Sequence, residues 1–361
     1  MTGTSYIVLT DPDRKEVLGK KNGQRKVTIR FYYPGKESRD VKPGDCLSAA
    51  NRKWLNKKAD FSLYEKRIRL YEGIGMKDGT FPLILFSHGY GGFVEQNNDL
   101  CQYLADHGYI VASIGHSYEA NETVYDDGTS VRFDNSLYFK MFRPLIPTII
   151  DLTRLRGRTL SDEEALERFD RHQNRYERFI IGRVDEWAKD DHLALGRIRE
   201  LNEDRNSFLY HRIDFSNGVG ATGHSYGGAL AYRHCLYDDE ISCGINIDGG
   251  LFGNFGSEVN HKPFLQILNR GNVNVVSRSR LYHDAPVHYM IFRDMEHNGF
   301  TDLKLTSKNA KLVGNANPEL TMNTLNEVHV TFFDRYLKTG DRNDRTPLPI
   351  NQTAIEKYEV L

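Results

Sequence analysis

Short apolar runs alternate with helical stretches along most of the chain. Tyr6 to Leu9 and Val27 to Tyr33 are rich in β-branched and aromatic residues, and the second run stops at Pro34-Gly35. They predict antiparallel strands at the start of the fold. Leu83-Ile84-Leu85-Phe86 and Tyr109 to Ile114 are continuously apolar over strand length, as strands covered on both faces of a parallel sheet should be. Between them Leu100, Tyr103 and Leu104 recur at helical spacing, and the helix closes at Gly108. Strand, helix and strand in that order predict an α/β architecture. Val219 to Thr222, a run at Phe264, Ile245 to Ile247 and Val287 to Phe292 add further buried strands.

Two stretches read differently. Residues from about Asp45 to Tyr71 are rich in Lys and Asn and predict a surface helix and loop. From Ser136 to Asn202 the pattern is almost wholly helical. Ser161-Asp162-Glu163-Glu164 fits a capping box, and Phe179, Ile180, Val184, Trp187 and Ala188 share one helical face. The part from about 135 to 182 reads as a helical cap-like insertion, and the remainder as a helix packed on the sheet.

Composition narrows the class. The chain has 361 residues, 39% hydrophobic and 27% charged, with Lys plus Arg 48 against Asp plus Glu 49. A net charge of −1 argues against nucleic acid as a partner. No apolar run reaches the roughly 20 residues that span a bilayer, and no apolar helix suited to docking on lipid is evident. No secretory signal is visible in the first residues, so a cytoplasmic protein is the expectation. Cys46, Cys101, Cys235 and Cys243 form no CxxC pair and read as buried free thiols; neither a metal nor a cofactor is expected.

Gly223-His224-Ser225-Tyr226-Gly227 follows a strand and precedes a helical run, the context that a nucleophile elbow requires. Gly115-His116-Ser117-Tyr118 repeats the first letters, but Glu119 replaces the second glycine and makes Ser117 a poor nucleophile. A nucleophilic serine needs a base that is itself oriented by an acid, in the chain order Ser, acid, His. Asp248 closes the strand Ile245 to Ile247 and leads over Asp294 and Asp302. Of His261, His283, His288, His297 and His329, only His297 lies in a loop just past the C-terminal end of a strand. The oxyanion donors should be the amide after the nucleophile, Tyr226, and one from the loop His88-Gly89-Tyr90-Gly91-Gly92. These motifs predict an α/β-hydrolase fold over residues 1 to 361, with a mostly parallel central sheet, antiparallel N-terminal strands and the helical insertion.

Phe86 to Gly92, Gly223 to Gly228, Asn246 to Gly249 and Glu296 to Asp302 together resemble the plasma and intracellular type II platelet-activating-factor acetylhydrolases. So do the 23-residue step from Ser225 to Asp248, the opening Asp11 to Pro34 segment and the closing Val330 to Leu337. The resemblance implies a serine esterase with nucleophile Ser225, acid Asp248 and base His297, and with Tyr90 and Tyr226 as oxyanion donors. The substrate is then a small-molecule ester with a short acyl group, or a phospholipid of the platelet-activating-factor or oxidised type. His88, His116, Gly249 and Phe300 are expected to line its pocket. The segment from Ser136 to about Arg183 is longer and more charged than that family's pattern. Two other readings are a peptidase of the prolyl-oligopeptidase kind, which also favours a Ser-Tyr-Gly-Gly elbow, and a hydrolase fold used only for binding.

Overall fold

Every apolar run singled out above is a strand of one eleven-stranded sheet. The structure, a computed structural model, describes residues 1–19, 23–37, 41–44, 47–55, 59–154 and 160–361. From edge to edge the strands are Ile355–Val360, Val287–Phe292, Phe264–Leu268, Ile241–Ile247, Val219–His224, Phe81–Ser87, Ile110–His116, Gln24–Pro34, Thr2–Lys15 and Leu70–Glu72. A two-residue strand, Ile213–Asp214, pairs beside the start of Phe81–Ser87. The six strands from Val287–Phe292 through Ile110–His116 run parallel, and the flanking strands Ile355–Val360 and Gln24–Pro34 pair antiparallel to them. This is the mostly parallel sheet of an α/β-hydrolase, edged by antiparallel strands at both ends.

Both faces of the sheet are covered, which is why its strands read as unbroken apolar runs. Helices Asn98–Asp106 and Pro318–Phe333 cover one face, where Leu104, Leu325, Phe332 and Phe333 pack on Ile84, Phe86, Ile245 and Ile247. Helices Arg178–Glu203 and Tyr226–Tyr237 cover the other, with Leu195, Ile198 and Tyr232 against Leu83, Leu85 and Ile241. Burying such side chains stabilises the fold by roughly 1.5–3 kcal/mol each. The parallel arrangement also brings the C-terminal ends of six strands to one rim, where ligands of open α/β sheets bind.

The helical stretch resolves into Ser136–Arg154, Asp162–Tyr176 and Arg178–Glu203, so the expected edge near residue 182 falls inside one helix. Ser161 caps the second of these, accepting the Glu164 N–H at 3.2 Å. Two expectations need correcting. The segment before Tyr71 is not a purely surface one: helices Ala49–Trp54 and Ser62–Arg67 put Leu55 and Tyr64 into the core. The first helix of the insertion does carry an exposed apolar face, with Phe139 72%, Tyr138 58%, Ile146 50% and Ile150 45% exposed. Pro144 and Pro147 lie inside that helix and break up its pattern in the sequence. No helix among the described residues is long and apolar enough to cross a membrane. Cys101, Cys235 and Cys243 are buried free thiols, and Cys46 lies outside the described residues.

Candidate active site

Ser225 is the one residue between the strand ending at His224 and the helix starting at Tyr226. It makes the turn at φ 56° and ψ −114°, a conformation that costs a non-glycine residue of order 1–3 kcal/mol. Strand and helix meet too closely for side chains on either side of it. A Cβ on Gly223 would lie 2.4 Å from the Gly227 carbonyl carbon, and one on Gly227 only 2.0 Å from the Ser87 oxygen. The strained turn lifts Oγ onto the rim, half-exposed, while the Ser225 N–H is tied to the Ile247 carbonyl at 2.8 Å.

Asp248 ends the neighbouring strand with φ 58°. The Asn246 side chain holds that turn, donating to the Gly249 carbonyl at 2.7 Å and accepting the Gly249 N–H at 2.9 Å. Oδ1 of Asp248 accepts the Asn269 N–H at 2.7 Å. Oδ2 accepts from Asn269 Nδ2 at 2.7 Å, Asn272 Nδ2 at 2.9 Å and His297 Nδ1 at 2.7 Å. Full burial pushes this carboxyl above the usual carboxylate range, and the His297 ring and the asparagine donors pull against that rise. His297 opens a short turn, His297–Phe300, after the strand Val287–Phe292. Its Nε2 lies 2.9 Å from Ser225 Oγ, and its side chain is 39% exposed, open to an incoming molecule. A hydroxyl, an imidazole and a buried carboxylate thus form one hydrogen-bonded line, with the geometry needed to draw a proton from the serine.

The other candidates are placed elsewhere. His288 is held between the hydroxyls of Tyr336 and Tyr358, and His329 is buried in the helix Pro318–Phe333. Asp302 is buried beside Asp99, and burial plus that neighbouring carboxylate hold it well above the usual range. The decoy residues belong to a buried ion network. Ser117 Oγ donates to the Lys26 carbonyl at 2.7 Å. Glu119 pairs with Arg183 and, at 3.4 Å, with Arg25. Arg25 also grips Asp190 at 2.6 Å, and Asp190 meets His116 Nδ1 at 2.9 Å.

Tyr226 is the first residue of its helix and Tyr90 sits in the turn after Phe81–Ser87; neither amide has a protein acceptor among the described residues. Their rings lie 5.4 Å apart and both pack on Trp187. Of the four residues expected to line the pocket, His88, His116 and Phe300 are fully buried, and Gly249 is buried as well. Trp187 stacks on the His116 ring at 3.7 Å and packs edge-on to His88 at 5.1 Å, which seals both beneath the Tyr90 loop. A Cβ on Gly249 would lie 2.0 Å from the Ser225 oxygen, so that glycine serves close backbone packing. Phe300 packs on Phe292 in the core. Tyr226, next to Ser225 in the chain, packs against Tyr90 and Phe252, and Tyr90 against Phe133.

Among the described residues one group, His192, His234 and Asp238, brings metal-ligand atoms within 4.8 Å of one another. Its nitrogens are already used. His234 meets Asp238 through Nδ1 and Asp191 through Nε2 at 3.0 Å, and His192 meets Asp238 at 2.9 Å. Burial opposes charge on His234, but the two carboxylates outweigh it and raise the ring to about 9. A protonated ring donates at both nitrogens and cannot ligate a metal. A raised folded value stabilises below the unfolded value of about 6.5 and loses that contribution as pH rises through about 9. The melting temperature is therefore expected to fall between these pH values, and to fall less in His234→Gln. Thermal melts across that range check this; equal slopes in both proteins would contradict it.

Comparison with known proteins shows the family. Residues 15–351 match the family described as platelet-activating factor acetylhydrolase, isoform II. The chain belongs to this family. The platelet-activating factor acetylhydrolase of Cavia porcellus is 26% identical over 86% of this chain and 72% of its own length. That of Gallus gallus is 22% identical over 71% of this chain and 62% of its own. A solved ferulic acid esterase from Streptomyces cinnamoneus superposes with a TM-score of 0.66 at 20% identity, over 99% of this chain and 96% of its own, and shows the shared fold. As a member of the acetylhydrolase family with an α/β-hydrolase sheet, the chain is a hydrolase enzyme.

Proposed function

We propose that this protein cleaves carboxylic esters through an acyl-enzyme formed on Ser225. The observation that carries the reading is the unbroken line Ser225 Oγ, His297 Nε2, His297 Nδ1, Asp248 Oδ2, with links of 2.9 and 2.7 Å. His297 Nδ1–H donates to Asp248, which leaves Nε2 free to take the serine proton as Oγ bonds to the ester carbonyl carbon. The amides of Tyr226 and Tyr90 face the oxygen that becomes negative. When the tetrahedral intermediate collapses, the C–O bond to the alcohol breaks and His297 returns its proton to the leaving oxygen. Water, deprotonated by His297 in turn, then releases the acid and restores Ser225. The substrate class is a small-molecule ester or a phospholipid carrying a short acyl group.

Short acyl groups are the expectation because the matched family and its curated relatives are acetylhydrolases. A methylene that fits adds about 0.8 kcal/mol of burial, while one that does not costs of order 1–3 kcal/mol. A series of p-nitrophenyl esters from acetate to palmitate, run below micelle-forming concentrations beside peptide anilides, tests the reading. We expect kcat/KM to peak at roughly two to four acyl carbons, with the anilides inert. A long-chain peak or activation on micelles would point instead to a lipase that uses the exposed face of Ser136–Arg154, and anilide turnover would point to a peptidase.

A further inference from the structure

Gln96 takes no part in the reaction proposed above, yet its side chain joins two loops of the site. Its Oε1 accepts the Gly89 N–H at 3.0 Å, and its Nε2 lies 2.8 Å from His224 Nδ1. The opposite ring nitrogen, His224 Nε2, meets the backbone carbonyl of His297 at 3.0 Å. The backbone adds to the same junction: the Gln96 carbonyl accepts the Asp302 N–H at 3.1 Å, and Asn97 Nδ2 donates to the Phe300 carbonyl at 2.7 Å. One hydrogen-bonded chain thus runs from the oxyanion loop, through the residue before the nucleophile, to the loop that carries the base.

Its polarity is set from both ends. A backbone N–H can only donate and a backbone carbonyl can only accept. Gly89 therefore demands Oε1 at its end of the Gln96 amide, which turns the NH2 group toward His224. The His297 carbonyl demands an N–H on His224 Nε2. Nδ1 is then the bare acceptor that the Gln96 NH2 group satisfies, and one proton arrangement fills every place. An imidazolium would set N–H against N–H. Burial and the neighbouring His297 ring work in the same direction, holding His224 well below the usual histidine range. Gln96 and His224 are both buried, and a Cβ on Gly92 would lie 1.9 Å from Gln96 Oε1, so the oxyanion loop wraps directly over the amide.

We propose that Gln96 is a positioning residue: acting through the fixed Nε2–H tautomer of His224, it keeps the Gly89–Gly92 loop and the His297 loop in register with Ser225. The uncharged state of His224 matters as much as its contacts. The two imidazole rings are 4.7 Å apart, and His297 must take a positive charge each time it accepts the Ser225 proton. A second cation there would oppose that charge. The inference rests on the proposed roles of His297 and the Tyr90 amide, so its test has one arm that needs no turnover.

In the Ser225→Ala protein, 15N NMR of the imidazoles reads the His224 tautomer directly. The expected result is protonated Nε2 and bare Nδ1, unchanged between about pH 6 and 8. The Nδ1–H tautomer, or a titration in that range, would overturn the proposal. The second arm is the kinetics of Gln96→Leu and Gln96→Glu with p-nitrophenyl acetate. Gln96→Leu should lower kcat roughly 100-fold with KM shifted less than about threefold, since the loops lose register and not the substrate contacts. Gln96→Glu replaces the donor with an acceptor, so His224 must take a proton to face both Glu and the His297 carbonyl. Its activity should fall as pH rises through that new titration, because the carboxylate that offsets the His224 charge then faces a bare nitrogen and the clasp opens, a limb that the wild type lacks. A merely structural glutamine would not add that limb. Wild-type kcat in Gln96→Leu, or a wild-type pH profile in Gln96→Glu, would overturn the assignment. If Gln96→Leu fails to fold by circular dichroism, the glutamate variant and the NMR arm decide. If the wild type turns over no ester, the proposed function fails while the NMR result still stands for or against the clasp.

Discussion

Replacing Ser225 with alanine should lower kcat for ester hydrolysis by about a million-fold. The substitution removes the atom that forms the acyl-enzyme and leaves the ester-binding walls and the Tyr90 and Tyr226 amides in place. A residual rate of roughly 10³–10⁴ over the uncatalysed reaction should survive from those amides and from binding. Steady-state kinetics with p-nitrophenyl acetate measure the loss. Ser117→Ala is the matched control, because the same letters precede it in the sequence. Its hydroxyl donates to the Lys26 carbonyl at 2.7 Å and accepts from Tyr125 at 3.0 Å, away from the serine turn. It should keep most activity and lose about 1–3 kcal/mol of stability, because the buried Tyr125 hydroxyl is left without an acceptor. An inactive Ser117 variant beside an active Ser225 variant would reverse the assignment.

The second large effect is expected at Asp248. Asp248→Asn keeps the size of the side chain but turns an amide toward His297, favouring the tautomer whose Nε2 carries the proton. That nitrogen could then no longer accept from Ser225, and kcat should fall about 10⁴-fold. His297→Gln should lose a comparable amount. Because Asn269 and Asn272 donate to the same carboxylate, Asp248→Asn also sets donors against a donor. Unfolding should be followed in parallel so that the loss in kcat is read on folded protein. Full activity in either variant, with Asp294→Asn or Asp302→Asn inactive instead, would move the acid elsewhere.

Much of this site was legible before any coordinates, and for a local reason. Ser225 and Asp248 stand at the ends of apolar strands and His297 in the loop after one, and parallel strands deliver their C-terminal ends to one rim. A position past a strand end does not reveal whether its side chain faces outward. His88 and His116 occupy such positions and are sealed by Trp187, which arrives from the helix Arg178–Glu203, far later in the chain. The donors to Asp248 and the Gln96 to His224 contact were not legible, because polar contacts between distant loops leave no period in a sequence. Asn269 follows the strand Phe264–Leu268, and that placement past a neighbouring strand was the one signal available. Glu119 shows the same limit: its pairing with Arg183 and Arg25 rests on elements brought together only by folding. The exposed face of Ser136–Arg154 was hidden by Lys140, Arg143, Pro144 and Pro147 among its apolar residues.

The most direct test of the central claim is covalent labelling with a fluorophosphonate, followed by intact-mass measurement and peptide mapping. Such a reagent reacts only with a serine whose proton is drawn off by a poised base and whose adduct oxygen is held by preorganised donors. One adduct per chain is expected, on Ser225, formed by the wild type and absent from Ser225→Ala and from His297→Gln. An unlabelled wild-type protein, or an adduct mapped to Ser117, would contradict it.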